Sequence, residues 1–285
     1  MKRITVITNL KKDPSLEITK RVVLELSSMA EKIFLDEENK YDAPSNVVFC
    51  EKYKLFDEAD AVITVGGDGT ILAIAPEVSK KGIPVLGINL GRVGFMAELE
   101  IEEIPLLSKL FTSEYIVDSR MMLDVDVMRN NEKIHSFVAL NDVVVMNGTI
   151  SKMVELDLFC NGDYVSTYHA DGIIMSTPTG STAYSLSAGG AVIDPALDCI
   201  LLTPVCAHSF NNSRPIVFSS SSELTVKDVR KSDENTFLTL DGDKNVKISF
   251  GDSVLVRRSQ YTTDLIKIKS TRFYNALYTK LSERR

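Results

Sequence analysis

The sequence predicts a chain of two domains, the first α/β with a parallel sheet and the second mostly β. Three observations support this prediction. The chain has 285 residues, which suits two ordinary domains better than one. Apolar runs alternate with helical patterns through the first part of the chain, as in a layered α/β domain. From Met121 onward, apolar residues recur at every second position between turn-forming pairs, which is typical of antiparallel strands.

The first part contains a strand, a helix and a second strand that predict a parallel pair. Residues 61–65 and 83–88 are apolar runs rich in branched side chains, and a helical pattern over 70–80 lies between them. A right-handed crossover of this kind places the two strands side by side. Three further elements are predicted in this part: a strand at 4–7, a helix over 14–31 that starts at Asp13 or Pro14, and an amphipathic helix over 102–111.

The second part predicts an antiparallel sandwich. Period-two patterns surround Val125, Leu156 and Ile248, and turn pairs such as Asn161-Gly162 separate them. A helical pattern returns over 271–285, and we expect this C-terminal helix to pack back on the first domain. The predicted domains are an α/β domain at 1–118 joined by 271–285, and an all-β domain at 119–270.

Composition and charge narrow the classes of function. With 44% hydrophobic and 25% charged residues, the chain matches an average globular protein. Its net charge of -7 argues against nucleic acid or an anionic membrane as the main partner. No stretch approaches 18 apolar residues, so we do not expect a membrane span. Four cysteines without Cys-x-x-Cys spacing favour reduced core residues in a cytoplasmic protein: Cys50, Cys160, Cys199 and Cys206.

A GGDGT pentapeptide is the most informative motif, and it consists of Gly66, Gly67, Asp68, Gly69 and Thr70. It lies between a predicted strand and a predicted helix, where free backbone amides and the helix dipole favour an anion. A carboxylate at Asp68 would repel a phosphate, so it needs a separate role. Either it helps to hold a Mg²⁺ that bridges phosphates, or it accepts a proton from a hydroxyl that attacks phosphorus. A tight turn with a helix-capping aspartate is an equal alternative on the pentapeptide alone.

Residues 177–190 form a second unusual segment, dense in hydroxyls and small side chains. Neutral donors of this kind suit the ribose, amide and phosphate groups of a ligand, and the alternative is a Ser/Thr-rich surface loop. Asn141 and Asp142 end an otherwise apolar strand predicted over 137–146. Two adjacent polar residues need partners there if they are buried, so one of them faces a ligand or both lie at a solvated strand edge.

The stretch 87–95 follows the strand after the crossover, where open α/β sheets place their ligand clefts. Phe95 in this stretch either walls an adenine or is a core residue under a glycine-rich loop. The histidines His135, His169 and His208 lack metal-ligand spacing, so zinc chemistry is not expected. His169 lies near Asp171, and a titrating group at the edge of a ligand could distinguish a charged ring of that ligand from a neutral one.

Together these motifs resemble the NAD kinases of bacteria. GGDGT alone is shared with lipid kinases and, in variant form, with phosphofructokinases, but the segment 177–190 together with Asn141-Asp142 is more specific. The order and spacing of the motifs match across nearly the whole chain. The further matching pieces are Gly87-Ile88-Asn89, Gly94-Phe95, Asp171-Gly172 and Asp241-Gly242.

The resemblance implies a Rossmann-like N-terminal domain, a sandwich-like C-terminal domain and a kinase reaction. In that reaction the γ-phosphate of ATP, or of polyphosphate as another donor, moves to the 2′-hydroxyl of the adenosine ribose of NAD and yields NADP. Mg²⁺ or another divalent cation is the implied cofactor. The implied partners are NAD, NADP, ATP and further copies of the chain in a homotetramer or homodimer, without nucleic acid or membrane.

The resemblance also assigns roles to residues of this sequence. Asp68 becomes the catalytic carboxylate, and the rest of GGDGT binds ATP phosphates. No fixed set of protein ligands for Mg²⁺ is implied, and the one link to the cation runs through Asp68. The residues implied for NAD are Phe95, Asn141, Asp142, Asp171, Thr179, Thr182, Ala183, Tyr184 and Ser187. Further contacts are expected from Asn89, Arg92, His169, His208 and Asp241.

Some positions depart from the common family pattern. The residue at Asp142 is often Glu, and many members carry Gln where this chain has Asp243; Asn211 and Asn212 also look altered. Two rival functions are a lipid or sugar kinase that shares the GGDGT loop and a non-catalytic NAD(P)-binding sensor. The first leaves residues 177–190 without a role, and the intact Asp68 argues against the second.

Overall fold

The computed structural model describes residues 1–91, 94–148, 153–208, 213–230, 236–269 and 273–283. The chain divides into two compact units. Unit 1 comprises Met1–Ser119 and Thr263–Arg285, and unit 2 comprises Arg120–Thr262. The domain bounds predicted from the sequence were 118 and 270 instead.

Unit 1 is built on a parallel sheet with the strand order β5-β4-β1-β2-β3. The predicted crossover of strand, helix and strand is present as β4, α2 and β5. The elements of the first segment are β1 Arg3–Thr8, α1 Glu17–Ser27, β2 Lys32–Asp36, β3 Val47–Cys50, β4 Ala61–Gly66, α2 Asp68–Lys81, β5 Val85–Asn89 and α3 Lys109–Thr112.

The central strand β4 shows why this sheet is covered on both faces. All six of its residues are buried, and a parallel strand with helices on both sides loses water from every side chain. The amphipathic helix α1 packs its apolar face against the same core through Val22, Val23 and Leu26. This burial forms the main apolar core of unit 1.

Two predicted helices of unit 1 differ from the observed ones. The helix predicted over 14–31 is shorter, because the Asp13 carboxylate accepts the amides of Ile18 and Thr19 and the helix begins at Glu17. The segment predicted as an α-helix over 102–111 is a 3₁₀ helix, Ile101–Ser108, that leads into α3. It contains Pro105, which has no amide to donate within an α-helix.

Unit 2 is a β sandwich, in agreement with the predicted class. One sheet has the order β10-β9-β14-β17, with β6 pairing both β17 and β7, and the other has the order β13-β12-β11-β8-β15-β16. Its elements are β6 Ile116–Arg129, β7 Glu132–Ala139, β8 Asp142–Asn147, β9 Val154–Cys160, β10 Asp163–Ala170, β11 Gly172–Ser176, α4 Tyr184–Ser187, β12 Cys199–Val205, β13 Ile216–Ser219, β14 Leu224–Asp228, β15 Thr236–Leu240, β16 Lys244–Ile248 and β17 Ser253–Lys267.

Turn chemistry sets the hairpins of unit 2. Asn161-Gly162 and Asp241-Gly242 all have positive φ, which is the geometry that tight hairpin turns require. The strand predicted over 137–146 is in fact two strands, β7 and β8, with Leu140 and Asn141 between them. The polar pair Asn141-Asp142 therefore lies at the start of a strand instead of at the end of one.

The chain returns to unit 1 after Thr262. Leu265 at the end of β17 pairs in parallel with Val85, and the buried Glu98 carboxylate accepts the amides of Ile268 and Lys269. The predicted C-terminal helix is present as α5, Phe273–Glu283, and the Phe273 ring lies 5.9 Å from that of Phe95. Among the described residues, no helix is both long and apolar enough to cross a membrane.

Candidate functional site

The GGDGT loop forms the turn from β4 to α2. Strand β4 ends at Gly66, and α2 begins at Asp68, so the loop lies at the positive end of the helix dipole. A side chain at Gly66 would place its Cβ 2.1 Å from the Thr70 hydroxyl oxygen, so only glycine fits there. At Gly69 a Cβ would meet nothing within 4 Å. The loop is therefore tight at its start and open at Gly69.

The Asp68 carboxylate is held by the backbone of a second loop. Its Oδ2 accepts the amide of Phe95 at 2.7 Å, and its Oδ1 accepts the amides of Met96 at 3.2 Å and Ala97 at 3.1 Å. A Cβ at Gly94 would lie 2.1 Å from Oδ1, so the glycine permits this close approach. Sequence analysis predicted a role for Asp68 toward phosphate but missed this anchoring of residues 95–97.

Two polar side chains flank the GGDGT loop. Asn89, only 2% exposed, donates from Nδ2 to the Gly91 carbonyl at 3.0 Å and to the Glu100 carboxylate, and its Oδ1 has no partner among the described residues. The Lys12 ammonium donates to the Gly66 carbonyl at 3.1 Å. A cation there attracts phosphate. Sequence analysis missed Lys12, although a lysine just after the first strand of an α/β sheet was a usable signal.

Two other predicted residues of unit 1 have different outcomes. Arg92 lies outside the described residues. Phe95 is half-buried and packs on Phe273, and its assignment to an adenine pocket stays a prediction.

A cavity of about 610 Å³ adjoins the GGDGT loop within unit 1. Gly69 and Thr70 of the loop contribute to its lining. The other lining residues come from the ends of β1 to β3 and from α2: Val6, Ile7, Thr8, Asn9, Leu10, Lys11, Asp36, Glu38, Asn39, Lys52, Leu55, Phe56, Ala73, Ile74 and Glu77.

In unit 2, Asn141 is locked against the segment 177–190. The Thr177 amide donates to the Asn141 carbonyl at 2.9 Å, and the Thr177 hydroxyl donates to the Leu140 carbonyl at 2.6 Å. A Cβ at Gly180 would lie 2.0 Å from the Asn141 carbonyl oxygen, so the two backbones touch. The structure thus brings together two motifs that are far apart in the sequence.

Asp241 organises the same corner of unit 2. Its carboxylate accepts the amides of Leu140 at 2.9 Å, Asn141 at 2.7 Å and Asp142 at 3.0 Å. Burial raises the pKa of the Asp241 carboxyl, whereas these hydrogen bonds oppose the rise. Sequence analysis offered Asp241 as a ligand contact, and the structure shows its carboxylate bonded to the backbone of the Asn141-Asp142 turn.

Asp142 is a buried acid next to this carboxylate. Asp142 is only 4% exposed. Burial, together with the nearby charge of Asp241, raises the pKa of its carboxyl to about 7. Two carboxylates this close disfavour full ionisation of both. Asp142 therefore holds a proton in part of the population near neutral pH.

A pocket of about 270 Å³ opens at this corner of unit 2. Among its lining residues, Asn141 is 9% exposed, and its Oδ1 has no hydrogen-bond partner in the described chain. A buried acceptor without a donor is costly unless a ligand or water supplies one. The lining residues are Asn141, Asp142, Val144, Met146, Ala183, Tyr184, Thr239, Asp241 and Gly242.

The hydroxyls of 177–190 serve the fold more than the sequence suggested. The Ser181 hydroxyl donates to the Pro178 carbonyl and accepts the Ile193 amide, and the Ser185 and Thr203 hydroxyls bond each other at 2.8 Å. The segment is therefore not a surface loop, since most of its hydroxyls are buried. Tyr184 and Ser187 are exposed, and Ala183 is half-buried.

Two of the predicted NAD residues in this segment are buried and have partners. The Thr182 hydroxyl donates to the Thr179 carbonyl, and the Thr179 hydroxyl accepts from the buried Arg120 guanidinium at 3.3 Å. Sequence analysis missed Arg120, because nothing in the pattern of β6 marks a buried cation. Both threonines have acceptor capacity left for a ligand.

The predicted histidines lie next to each other on unit 2. The His208 amide donates to the His169 carbonyl at 2.9 Å, and both side chains are exposed. Asp171 is half-buried, its amide donates to the Val205 carbonyl, and its carboxylate raises the pKa of the exposed Cys206 thiol. Asn211 and Asn212 lie outside the described residues.

The fit of a divalent cation rests on Asp68. In the described part of the chain, no group of three or more His, Cys, Asp or Glu residues could hold a metal ion. A carboxylate has about four lone-pair sites, and three backbone amides occupy three of those of Asp68. One site on Oδ2 therefore suits a cation held mainly by other ligands, such as phosphate oxygens and waters.

Comparison with known proteins gives a consistent result. The family model for the ATP-NAD kinase N-terminal domain matches residues 4–115, and that for the ATP-NAD kinase C-terminal domain matches residues 140–268. An NAD kinase of Caldanaerobacter subterraneus subsp. tengcongensis is 38% identical over 292 aligned residues, which cover 100% of both chains. An NAD kinase of Geobacter sulfurreducens is 44% identical over 224 residues, or 78% of each chain.

Solved structures agree with this assignment. An NAD kinase from Archaeoglobus fulgidus in complex with ATP aligns with a TM-score of 0.76 and 26% identity, over 98% of each chain. Yeast NADH kinase complexed with NADH aligns with a TM-score of 0.89 over 99% of this chain and 88% of the yeast chain; at 22% identity that likeness shows the fold alone. With both domain models matched and relatives aligned over their full length, this chain belongs to the NAD kinase family.

Proposed function

We propose that this chain transfers the γ-phosphate of ATP to the 2′-hydroxyl of the adenosine ribose of NAD and so forms NADP. The observation that carries this proposal is Asp68, a carboxylate at the first position of α2 inside a glycine loop. A site that only binds phosphate has no use for a negative charge there. A site that transfers a phosphoryl group to a hydroxyl does.

The GGDGT loop supplies the positioning for this reaction. In the proposed mechanism Gly66, Gly67, Gly69 and Thr70 contact the donor phosphates, and the dipole of α2 favours their charge. Asp68 accepts the proton of the ribose hydroxyl or orients that hydroxyl for in-line attack. Its three amide partners hold the carboxylate in one position, which is the kind of preorganisation that phosphoryl transfer depends on.

Mg²⁺, or another divalent cation, belongs to this proposal. The free lone-pair site on Asp68 Oδ2 would contact it directly or through water, and the ATP phosphates would supply most of the remaining ligands. Such a cation neutralises the charge that develops on the phosphates.

Within unit 2, the dinucleotide is assigned to a set of mostly polar residues. Asn141 and Asp142 are proposed to bind ribose hydroxyls, and the unpartnered Oδ1 of Asn141 supports this role because it needs a donor. A carboxylate at Asp142 also accepts from a hydroxyl. The remaining proposed contacts are Asp171, Thr179, Thr182, Ala183, Tyr184 and Ser187, with His169 and His208 as further contacts.

One assay tests the proposed function against its rivals. The protein is incubated with ATP, Mg²⁺ and NAD, and NADP is measured by a coupled dehydrogenase that accepts only NADP. We expect NADP to form. Phosphorylation of a lipid or sugar acceptor without NADP would indicate another kinase, and tight NAD binding without any product would indicate a sensor.

Three finer properties are part of the same proposal. We propose a homotetramer, with a homodimer as the alternative, a cytoplasmic location, and polyphosphate as a second donor. Light scattering of the purified protein tests the first, and fractionation of the native cells tests the second. Replacing ATP by polyphosphate in the NADP assay tests the third.

A further inference from the structure

The 610 Å³ cavity of unit 1 lies at the point where the strand order of the sheet reverses. From β1 the chain proceeds to β2 and β3 on one side of the sheet, and later to β4 and β5 on the other. Open α/β sheets bind ligands outside the carboxyl ends of the strands at such a switch point. The residues that line the cavity include Thr8 at the end of β1 and Asp36 at the end of β2.

The cavity continues directly from the GGDGT loop. Thr70, Ala73, Ile74 and Glu77 line it, at the spacing of one face of α2, so it follows the helix for about two turns, or about 10 Å. Its volume falls within the range of small-molecule sites. A ligand that fills it can therefore reach the loop with one end while its other end lies farther along the helix.

The chemistry of the cavity suits a nucleoside. Leu55, Phe56 and Ile74 supply apolar surface for a base. Asn39 also lines the cavity, is 7% exposed and carries an Oδ1 atom that has no hydrogen-bond partner among the described residues. A buried amide oxygen without a donor costs free energy, and a ligand amino group would remove that cost.

The charged residues of the cavity fit the remaining parts of a nucleotide. Asp36 already accepts the Glu38 amide through Oδ1 at 3.0 Å, and its other oxygen suits a ribose hydroxyl, which donates. Lys11 belongs to the segment after β1, as does Lys12, whose ammonium lies on the GGDGT loop. Cations on that side suit a phosphate tail.

We propose that this cavity binds the nucleoside of the phosphoryl donor, with the Asn39 side-chain oxygen accepting a hydrogen bond from the 6-amino group of adenine. The inference rests on the proposed function, since it places the donor of that reaction. It also predicts donor selectivity. Guanine presents an oxygen at the 6-position, so it offers Asn39 no donor there.

A bulky side chain on the exposed face of α2 tests the location. Ala73→Trp places an indole at the cavity, and Lys80→Trp on the same helix is the matched control, because Lys80 is exposed and does not line the cavity. Titration calorimetry with ATP and Mg²⁺, without NAD, measures donor binding. We expect Ala73→Trp to weaken ATP binding at least about tenfold and to leave NAD binding unchanged, and Lys80→Trp to change neither. Unchanged ATP affinity in Ala73→Trp would overturn the inference.

Donor selectivity tests the role of Asn39. The kcat/KM of NADP formation is measured with ATP and with GTP. In Asn39→Leu, which is close in size and has no polar atoms, the preference for ATP should fall about tenfold or more. Asn39→Asp retains an acceptor oxygen and should retain the preference. A preference unchanged in Asn39→Leu contradicts the assignment of the base.

The two proposals can fail separately. If the protein forms no NADP from NAD and ATP, the proposed function fails, and calorimetry on Ala73→Trp still decides whether ATP occupies this cavity. If NADP forms at the same KM for ATP in Ala73→Trp and in the unmodified protein, the proposed function stands and the donor binds elsewhere.

Discussion

Asp68 has two tasks that compete for one carboxylate. Three backbone amides from residues 95–97 bind it, and the proposed reaction needs a remaining lone pair for a hydroxyl or a cation. The amides fix where that lone pair points. The glycine at position 94 is the residue that makes this arrangement possible, because a side chain there would collide with the carboxylate.

Replacing Asp68 by Asn tests both tasks. Asp68→Asn keeps one oxygen acceptor but replaces the other by an NH₂ group. That group cannot accept a hydrogen bond from the amides of 95–97 or a proton from the ribose hydroxyl. We expect turnover to fall by roughly 10² or more, the usual scale for a lost general base, while NAD binding persists. Hydrogen exchange at the amides of 95–97 should become faster. Asp57→Asn, which removes an exposed carboxylate of the same unit, is the control, and near-normal turnover in Asp68→Asn would refute the assigned role.

The pair Asp142 and Asp241 makes stability depend on pH. Burial and the Asp241 charge raise the folded-state pKa of Asp142 to about 7, above its ordinary value. A carboxyl with a raised folded-state pKa contributes stability that is fully present below its unfolded pKa of about 3.9 and is lost as pH rises through the folded value. The relevant window is therefore about pH 4 to 7.

Asp142→Asn should remove much of this pH dependence. We expect the free energy of unfolding of the natural protein to fall between about pH 4 and pH 7, and that of the variant to fall less, because Asn has no proton to lose. Urea unfolding at both values measures the difference. Asp163→Asn replaces an exposed aspartate of unit 2 and should leave the dependence intact; equal slopes in all three proteins would contradict the coupling.

At the candidate site, some residues were predictable from the local sequence and others were not. Asp68 was predicted because its charge is anomalous in a phosphate loop, an argument that needs only local sequence. Its three amide partners were not predictable, since they come from a loop about 27 residues away whose path no local pattern specifies. The same holds for the contact of Gly180 with Asn141 and for the buried Arg120.

At the scale of elements, Gly69 within α2 and Gly94, which contacts Asp68 at the start of α2, differ in the space available for a side chain. A Cβ at Gly69 would meet open space next to the cavity, whereas a Cβ at Gly94 would meet the Asp68 carboxylate. Gly69 lies within α2, where alanine is the better helix former. The fold alone does not require glycine at position 69, which supports a ligand as the reason for it.

The pair of variants Gly69→Ala and Gly94→Ala separates these causes. We expect Gly69→Ala to stabilise the protein by about 0.5 kcal/mol and to weaken ATP use, because a methyl group would stand where phosphate approaches. Gly94→Ala should lower turnover by displacing Asp68. Thermal unfolding and NADP kinetics measure both effects. Gly69→Ala with full activity would show that the glycine is not kept for phosphate.

Elements were predictable where one period dominates the sequence. The apolar runs of β4 and β5 and the helix between them stood out because a buried parallel strand has no polar face. The segment 101–108 looked α-helical because its apolar residues fit that period, but Pro105 cannot donate to the carbonyl four residues earlier, and its ring crowds that carbonyl in an α-helix. The strand predicted over 137–146 is interrupted because Asp241, from a distant turn, binds the backbone at 140–142.

At the scale of the whole molecule, unit 1 is discontinuous in sequence. The residues after Thr262 supply a strand end beside Val85, two amides for the buried Glu98 and the ammonium of Lys269, which lies 2.7 Å from the Glu103 carboxylate. Without these groups the Glu98 carboxylate loses the two amides that it accepts, and burying it without donors would be strongly unfavourable. The sequence showed that the tail differs from the β part but not which residues anchor it.

Two truncated chains test how much unit 1 depends on this return. A chain that ends at Thr262 should lose protection from hydrogen exchange throughout β4 and β5. A chain that ends at Lys269 keeps the strand end and the partners of Glu98. It should lose the contact of Phe273 with Phe95 but remain protected in β4 and β5. Mass spectrometry of exchanged peptides measures both, and equal protection in the two chains would contradict this dependence.

The discontinuity of unit 1 also has a consequence for synthesis on the ribosome. The first 119 residues leave the ribosome before the segment that completes their sheet exists, and the whole of unit 2 is made in between. At about 5–20 residues per second, this leaves the nascent first segment incomplete for roughly 7 to 30 s. During that interval the β5 edge and the Glu98 carboxylate are open to water and to chaperones, so the second unit can fold before the first is finished.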